Sequence, residues 1–192
     1  MIMKLILLGI SAFLATLVKS MSGFGFGIVF MAIAPLLVPV KEATVLSLAT
    51  VFFFQIYIII TLHKYIQWKL VIMPAIFGII ASSIGVNIMV SINPKVMDLI
   101  LGIFLWSMAI YLLLIAPKIK LRNHNLFIGT LAGIFSGFMR GMFAVGSPPI
   151  AIYYSSVLDD TKIYQATIQT YFNITTITIL ITNIICHNFT IN

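Results

Sequence analysis

Charged side chains are scarce in this 192-residue chain, at 8% of all residues, and only four of them are acidic. A soluble domain carries about 25% charged residues, which form a hydrated shell around its core. Here 61% of the residues are hydrophobic. Cysteine is nearly absent too, since Cys186 stands alone, and this excludes a disulfide-built secreted scaffold. These shortages exclude a soluble globular protein and a disordered chain, and they indicate a membrane protein.

The apolar residues form long continuous runs, which favour transmembrane helices over the alternating strands of a β-barrel. At about 20 residues per crossing, their number allows about six spans. We divide the chain into eight apolar segments, A to H, at residues 4–18, 28–40, 43–62, 70–92, 96–116, 126–139, 141–157 and 163–186. The predicted fold is therefore an all-α polytopic membrane protein.

The basic residues lie at the edges of the apolar runs and act as topology signals, so the net charge of +7 does not indicate nucleic-acid binding. Two crossings separate the loop at 63–69 from the loop at 117–125, which places both on the same side. Both loops are rich in lysine and arginine, and the positive-inside rule puts them in the cytoplasm. The N-terminal run lacks a convincing cleavage site, so we expect a retained first helix rather than a signal peptide.

An internal repeat emerges when the sequence is compared with itself at an offset of 114 residues. The matched residues are Phe13 with Phe127, Thr16-Leu17 with Thr130-Leu131, Ser22-Gly23-Phe24 with Ser136-Gly137-Phe138, Gly27 with Gly141, and Pro35 with Pro149. At an offset of 123, Ala43-Thr44 then meets Ala166-Thr167. Segments A to C are thus predicted to be duplicated as F to H.

This repeat predicts a first transmembrane unit at 1–116, a basic cytoplasmic loop at 117–122, and a second unit at 123–192. The second unit has no counterparts of segments D and E. We expect a chain that is truncated, naturally abbreviated, or completed by a partner subunit.

Paired segments that glycine and proline interrupt are typical of transporter folds, in which half-helices meet at the substrate site. The free N–H groups and positive dipole end of a half-helix suit an anion. The alternative is ordinary packing, in which small residues let two helices approach closely. The sequence also leaves open whether A–B and F–G are single crossings, which makes the repeats parallel, or re-entrant pairs, which makes them inverted.

Two cations lie beside the glycine clusters, and a cation within the hydrocarbon indicates function by default. Lys19 has the alternative of snorkelling to the interface, and Arg140 that of being a plain interfacial residue. The Arg140 guanidinium offers a planar fork for an oxyanion. In segment H, one helical face carries Gln165, Gln169, Asn173 and Thr176, which either bond neighbouring helices or line a path. The three histidines have no metal-ligand spacing, so we expect no cofactor and no enzyme activity.

The run Ser22-Gly23-Phe24-Gly25-Phe26-Gly27, followed by Pro35, resembles the first half of the TauE/SafE (sulfite exporter) family of membrane permeases. The run Gly133 to Gly137 with Gly141, and then Gly146-Ser147-Pro148-Pro149-Ile150, is similar to that family's second-half motif. The resemblance implies a duplicated helical fold and transport of small sulfur-containing or organic anions. The chain departs from the family pattern where Phe24 and Phe26 separate the glycines and where Ser147 replaces a usual glycine.

These observations predict a multi-pass permease that moves small anions across the plasma membrane by alternating access. The alternative is a non-transporting permease remnant or a membrane interaction subunit. The expected partners are the lipid bilayer and a small anion, with a homo-oligomer left open. The candidate substrate-binding residues are Ser22, Gly23, Gly25, Gly27, Pro35, Ser136, Gly137, Arg140, Gly141, Gly146, Ser147, Pro148, Pro149 and Asn173.

Overall fold

The computed structural model describes residues 2–115 and 125–185. Over these ranges the chain forms α-helices and short helical turns and no strand, so the predicted all-α class is confirmed. The helices are α1 (Ile2–Ser22), α2 (Phe26–Ile33), α3 (Val40–Leu62), α4 (Trp68–Ser91), α5 (Pro94–Ile110), α6 (Leu126–Phe143), α7 (Ser147–Val157) and α8 (Thr161–Ile185). The predicted basic loop at 117–122 lies outside the described residues.

Six of these helices are long and apolar enough to cross a membrane, namely α1, α3, α4, α5, α6 and α8. On the outer faces of these helices, large apolar side chains such as Phe53 and Trp106 are 75% and 70% exposed, as contact with lipid requires. By contrast, α2 and α7 have 8 and 11 residues, and at about 1.5 Å per residue they are too short to span. The chain is therefore a multi-pass membrane protein that carries two short helices inside the bundle.

Helix α6 packs along α4 in the same direction through a stripe of glycines. Side chains added at Gly133, Gly137 and Gly141 would collide with the backbone of Pro74, Gly78 and Ser82 in turn. Gly137 and Gly141 therefore serve close helix packing, which is the alternative to a substrate-site role that the sequence leaves open. The predicted boundary between segments F and G at Arg140 is wrong. Helix α6 continues through Arg140 to Phe143, because its glycines are packed against α4 and do not break it.

The short helix α7 folds back along α6. Gly129, in the first turn of α6, faces Tyr153 near the end of α7, whereas Gly146, just before α7, faces the Arg140 region. The Tyr154 hydroxyl donates a hydrogen bond to the Leu70 carbonyl (3.2 Å), at the first turn of α4. The hairpin α6–α7 therefore enters the bundle and returns at the end where α4 begins.

The short helix α2 likewise packs on α1, and its hairpin returns at the other end of the bundle. The chain that follows α2 lies beside the turn between α4 and α5, where the Lys41 ammonium donates to the Val90 carbonyl (3.0 Å). The first turn of α8 lies at the opposite end, with the Lys162 Nζ atom 5.8 Å from the centre of the Tyr65 ring. The two hairpins thus enter from opposite ends, which is the arrangement expected of re-entrant, inverted units.

This arrangement predicts opposite sidedness for two exposed residues, Glu42 and Asp160. We expect Glu42→Cys and Asp160→Cys, each in a Cys186→Ser background, to be labelled by a membrane-impermeant maleimide from opposite faces. Intact cells and inverted vesicles provide the two faces, and lysed membranes give total labelling. Labelling of both positions from one face would contradict the inverted arrangement.

Candidate functional site

The two hairpins meet where their helices are interrupted. In the first break, Gly23 and Gly25 adopt left-handed φ angles of +81° and +93°, which glycine tolerates without the steric cost that a Cβ brings. In the second break, Ala144 has a φ of +56°. Gly27 lies so close to the Ala144 carbonyl oxygen that a side chain at this position would overlap it. The breaks are therefore in direct contact, and Gly27 allows that contact.

A small cavity of about 20 Å³ lies between the breaks, with room for about one water molecule. Its wall includes both breaks, Ser47, Val51 and Gln55 of α3, and Phe172 of α8. Val51 is the central residue of α3, and Phe172 is next to the centre of α8. Because both helices are long enough to cross the membrane, the cavity lies near the midplane.

Two cations, Lys19 and Arg140, line this cavity, and each is 4% exposed. The Arg140 guanidinium donates from Nη2 to the Thr176 hydroxyl (2.7 Å) and to the Phe172 carbonyl (3.4 Å). Its Cζ atom lies 4.6 Å from the centre of the Phe172 ring, a cation–π contact. The Lys19 ammonium lies 4.5 Å from the centre of the Phe54 ring. The alternative of an interfacial position is therefore wrong for both residues, because the bundle encloses them.

Neither cation is neutralised by an acidic side chain. All four acidic residues of the chain are exposed and absent from the cavity wall: Glu42, Asp98, Asp159 and Asp160. Burying an uncompensated charge costs several kcal/mol, on the order that an ion's desolvation costs in proteins. The cavity is thus a site of net positive charge in a medium of low dielectric constant, and it suits an anion.

Three polar atoms in the cavity wall have no hydrogen-bond partner, which is rare for buried groups. They are the Ser47 hydroxyl, the Gln55 Oε1 atom and the Arg140 Nε atom. Helices α2 and α7 also begin here without a side-chain cap, and because Pro148 and Pro149 lack a backbone N–H, Ser147 alone offers one among the first three residues of α7. The backbone N–H groups, the Ser47 hydroxyl and the Arg140 Nε–H group are free to donate hydrogen bonds to an anion in the cavity, whereas the Gln55 Oε1 atom can only accept one.

The polar face of α8 runs along both breaks. The Gln169 amide donates to the Gly23 carbonyl (2.8 Å), which the break leaves without a helical partner. The Gln165 amide lies against Gly23, and Thr176 holds Arg140. The polar face of α8 points to the bundle interior as predicted, and it contributes hydrogen bonds to both hairpins.

The structure gathers only part of the predicted site. Gly25, Gly27, Arg140 and Ser147 line the cavity. Five further candidates lie in or next to the two breaks, where they shape the backbone rather than the wall: Ser22, Gly23, Gly146, Pro148 and Pro149.

Five candidates lie elsewhere. Ser136 is buried on α6, one turn before Arg140, and Asn173 lies on α8 with an unpartnered amide nitrogen. Gly137 and Gly141 pack against α4. Pro35 ends the α2 hairpin and lines a separate cavity with Met97 and Asp98. None of these five is part of the wall between the two hairpins.

Sequence reasoning left several wall residues out of the candidate set, above all Lys19, Ser47, Gln55 and Phe172. A signal for Lys19 was present. Gly25 and Gly146, which precede the short helices, are 121 residues apart, and the same offset takes Lys19 to Arg140. The predicted repeat offset of 114 pairs Gly23, in the first break, with Gly137, which lies inside α6. The positions of the two helix breaks are therefore related by an offset of 121 and not by 114.

A protein-family model described as "Sulfite exporter TauE/SafE" matches residues 8–191 of the chain. The match includes both helix breaks and every residue of the cavity wall. No curated protein and no solved structure matches the chain at a significant level.

Proposed function

The chain belongs to the sulfite exporter TauE/SafE family, whose members are membrane transporters of sulfite-like anions, and on that premise we propose that it is a permease of the plasma membrane. Its proposed substrates are small sulfur-containing or organic anions, with sulfite as the first candidate. Its proposed mechanism is alternating access around the cavity between the two hairpins.

The observation that carries this proposal is the pair of buried cations, Lys19 and Arg140, in a wall without acidic residues. Buried cations without acidic partners are costly near the midplane, and ionisable residues within membrane helices typically mark a substrate or ion pathway. A bound anion compensates them, and it also accepts hydrogen bonds from the unpartnered Arg140 Nε atom and Ser47 hydroxyl.

The other proposed site residues act through the backbone. Gly25 and Gly146 end the two breaks, and the short helices that follow begin beside the cavity. The first N–H groups of α2, the Ser147 N–H of α7 and the positive dipole ends of both helices favour a negative ligand. Gly27 and Ser147 lie in the first turns of these helices, where a small side chain leaves the N–H groups accessible.

Alternating access is consistent with where the hairpins enter. The cavity of about 20 Å³ is smaller than an oxyanion of four heavy atoms requires, so the site must widen to admit one. The α1–α2 hairpin separates it from one end of the bundle, and the α6–α7 hairpin separates it from the other. We infer that one hairpin moves at a time, which opens the site to one side of the membrane.

Flux in proteoliposomes tests the proposal. We expect liposomes with the purified chain to take up radiolabelled sulfite in a saturable manner and faster than empty liposomes. Unlabelled sulfite and related small anions should compete with this uptake, whereas amino acids and sugars should not. Uptake equal to that of empty liposomes, across a panel of inorganic and organic anions, would contradict the permease assignment and favour the alternative of a membrane interaction subunit.

A further inference from the structure

Lys19 and Arg140 occupy matching places in the two hairpins. Each lies six residues before the glycine that precedes its short helix, from 19 to 25 and from 140 to 146. Each also lies against an aromatic ring of the long helix that follows its own hairpin, Phe54 of α3 or Phe172 of α8, at 4.5 and 4.6 Å. Each hairpin therefore brings one cation to the shared cavity.

Two positively charged side chains line this site, and its wall contains no acidic residue. The uncapped N-termini of α2 and α7 add further positive potential. A singly charged anion would leave one cation uncompensated, and in a buried site that remaining charge is costly. An anion with two charges compensates both cations and bridges the two hairpins.

We propose that this site selects doubly charged oxyanions over singly charged anions of the same shape, and that Lys19 provides the selectivity. The inference rests on the permease function proposed above and specifies the charge of its substrate. Arg140 contributes the planar fork and binds one edge of either anion through its unpartnered Nε atom. Lys19 is a compact charge that contacts an aromatic ring, so it is available for the second charge of the ligand.

Sulfite and chlorate form a suitable pair of probes. Both are pyramidal ions with three oxygens around one central atom and the same number of electrons, but just above neutral pH most of the sulfite carries two charges, whereas chlorate carries one. The affinity of the 192-residue chain in detergent for each ion is measured by isothermal titration calorimetry in separate experiments. We expect sulfite to bind about 30-fold more tightly or better, which is the effect of about 2 kcal/mol from a buried charge partner.

Variants at Lys19 test whether this residue provides the selectivity for sulfite over chlorate. We expect Lys19→Met to weaken sulfite binding by about 30-fold and to leave chlorate binding unchanged or slightly stronger. Lys19→Arg should retain the preference for sulfite, because it retains the charge. Lys95→Met, at an exposed position in the first turn of α5, is the matched control and should bind both ions as the parent chain does.

The outcomes separate this inference from the permease function. Equal affinity of the parent chain for sulfite and chlorate, together with measurable anion flux, would overturn the charge selectivity and leave the permease standing. A preference for sulfite that Lys19→Met retains would remove Lys19 from the explanation. Absence of both binding and flux would overturn the permease itself. The comparison of the two ions on the parent chain decides the question even where a variant fails to fold.

Discussion

Arg140→Met should reduce anion flux by about 100-fold while the bundle remains folded. The guanidinium is the principal donor of the proposed site, and removing a buried charge partner costs about 3 kcal/mol. Methionine fills a similar volume and still packs against the Phe172 ring. It also removes a buried charge that no acidic side chain compensates, so the melting temperature without ligand should stay the same or rise.

The measurement is sulfite uptake in proteoliposomes together with thermal unfolding of the same detergent-purified sample. Arg140→Lys is the companion variant, because it retains the charge and loses the planar fork. We expect it to retain part of the flux with a weaker apparent affinity. Flux at the parent level in Arg140→Met would exclude Arg140 from substrate binding. A collapse in melting temperature would show that its hydrogen bond to Thr176 serves the fold.

Gly137→Val should have the largest effect on stability. An added Cβ at this position meets the backbone carbonyl of Gly78, which cannot move as a flexible side chain can. The added atoms force α6 away from α4 and remove the van der Waals contacts of the most extensively packed helix pair. Overpacking of this kind costs about 3 kcal/mol.

Gly102→Val is the matched control for this experiment. It adds the same side chain to a membrane helix, α5, at a glycine with nothing within 4 Å of the new Cβ. Thermal unfolding in detergent should show a clear fall for Gly137→Val and little change for Gly102→Val. If Gly137 instead contacts the substrate, as its place among the candidate site residues predicts, the smaller change Gly137→Ala would alter sulfite affinity without lowering the melting temperature.

The long spans were predictable because hydrophobicity is a local property. Segments C and D at 43–62 and 70–92 agree with α3 and α4 to within three residues at each end, and segment H at 163–186 agrees with α8. A run of about 20 apolar residues has no stable alternative to a membrane helix, whatever its neighbours are. The motif that identifies the family was also readable, since it depends on residue types at short spacing.

The second helix break was not predictable from residue type. The glycines at 137 and 141 and the cation Arg140 suggest an interruption, yet α6 continues through all three. The chain breaks instead at 144–146, and Ala144, which has no helix-breaking character, adopts the left-handed conformation. Glycine in a membrane helix is tolerated where a neighbouring backbone packs against it, and the neighbour α4 lies more than 40 residues earlier in the chain.

By itself, the sequence determined that this protein is a polytopic helical membrane protein of an anion-transporter family with a marked shortage of acidic residues. It did so because hydrophobic runs, charge counts and short motifs are local. Only the tertiary structure decided which glycines interrupt a helix and which pack against a neighbouring helix. It also showed that the hairpins enter from opposite ends. It also decided that Lys19 and Arg140 face one cavity, because that meeting depends on contacts between hairpins 121 residues apart.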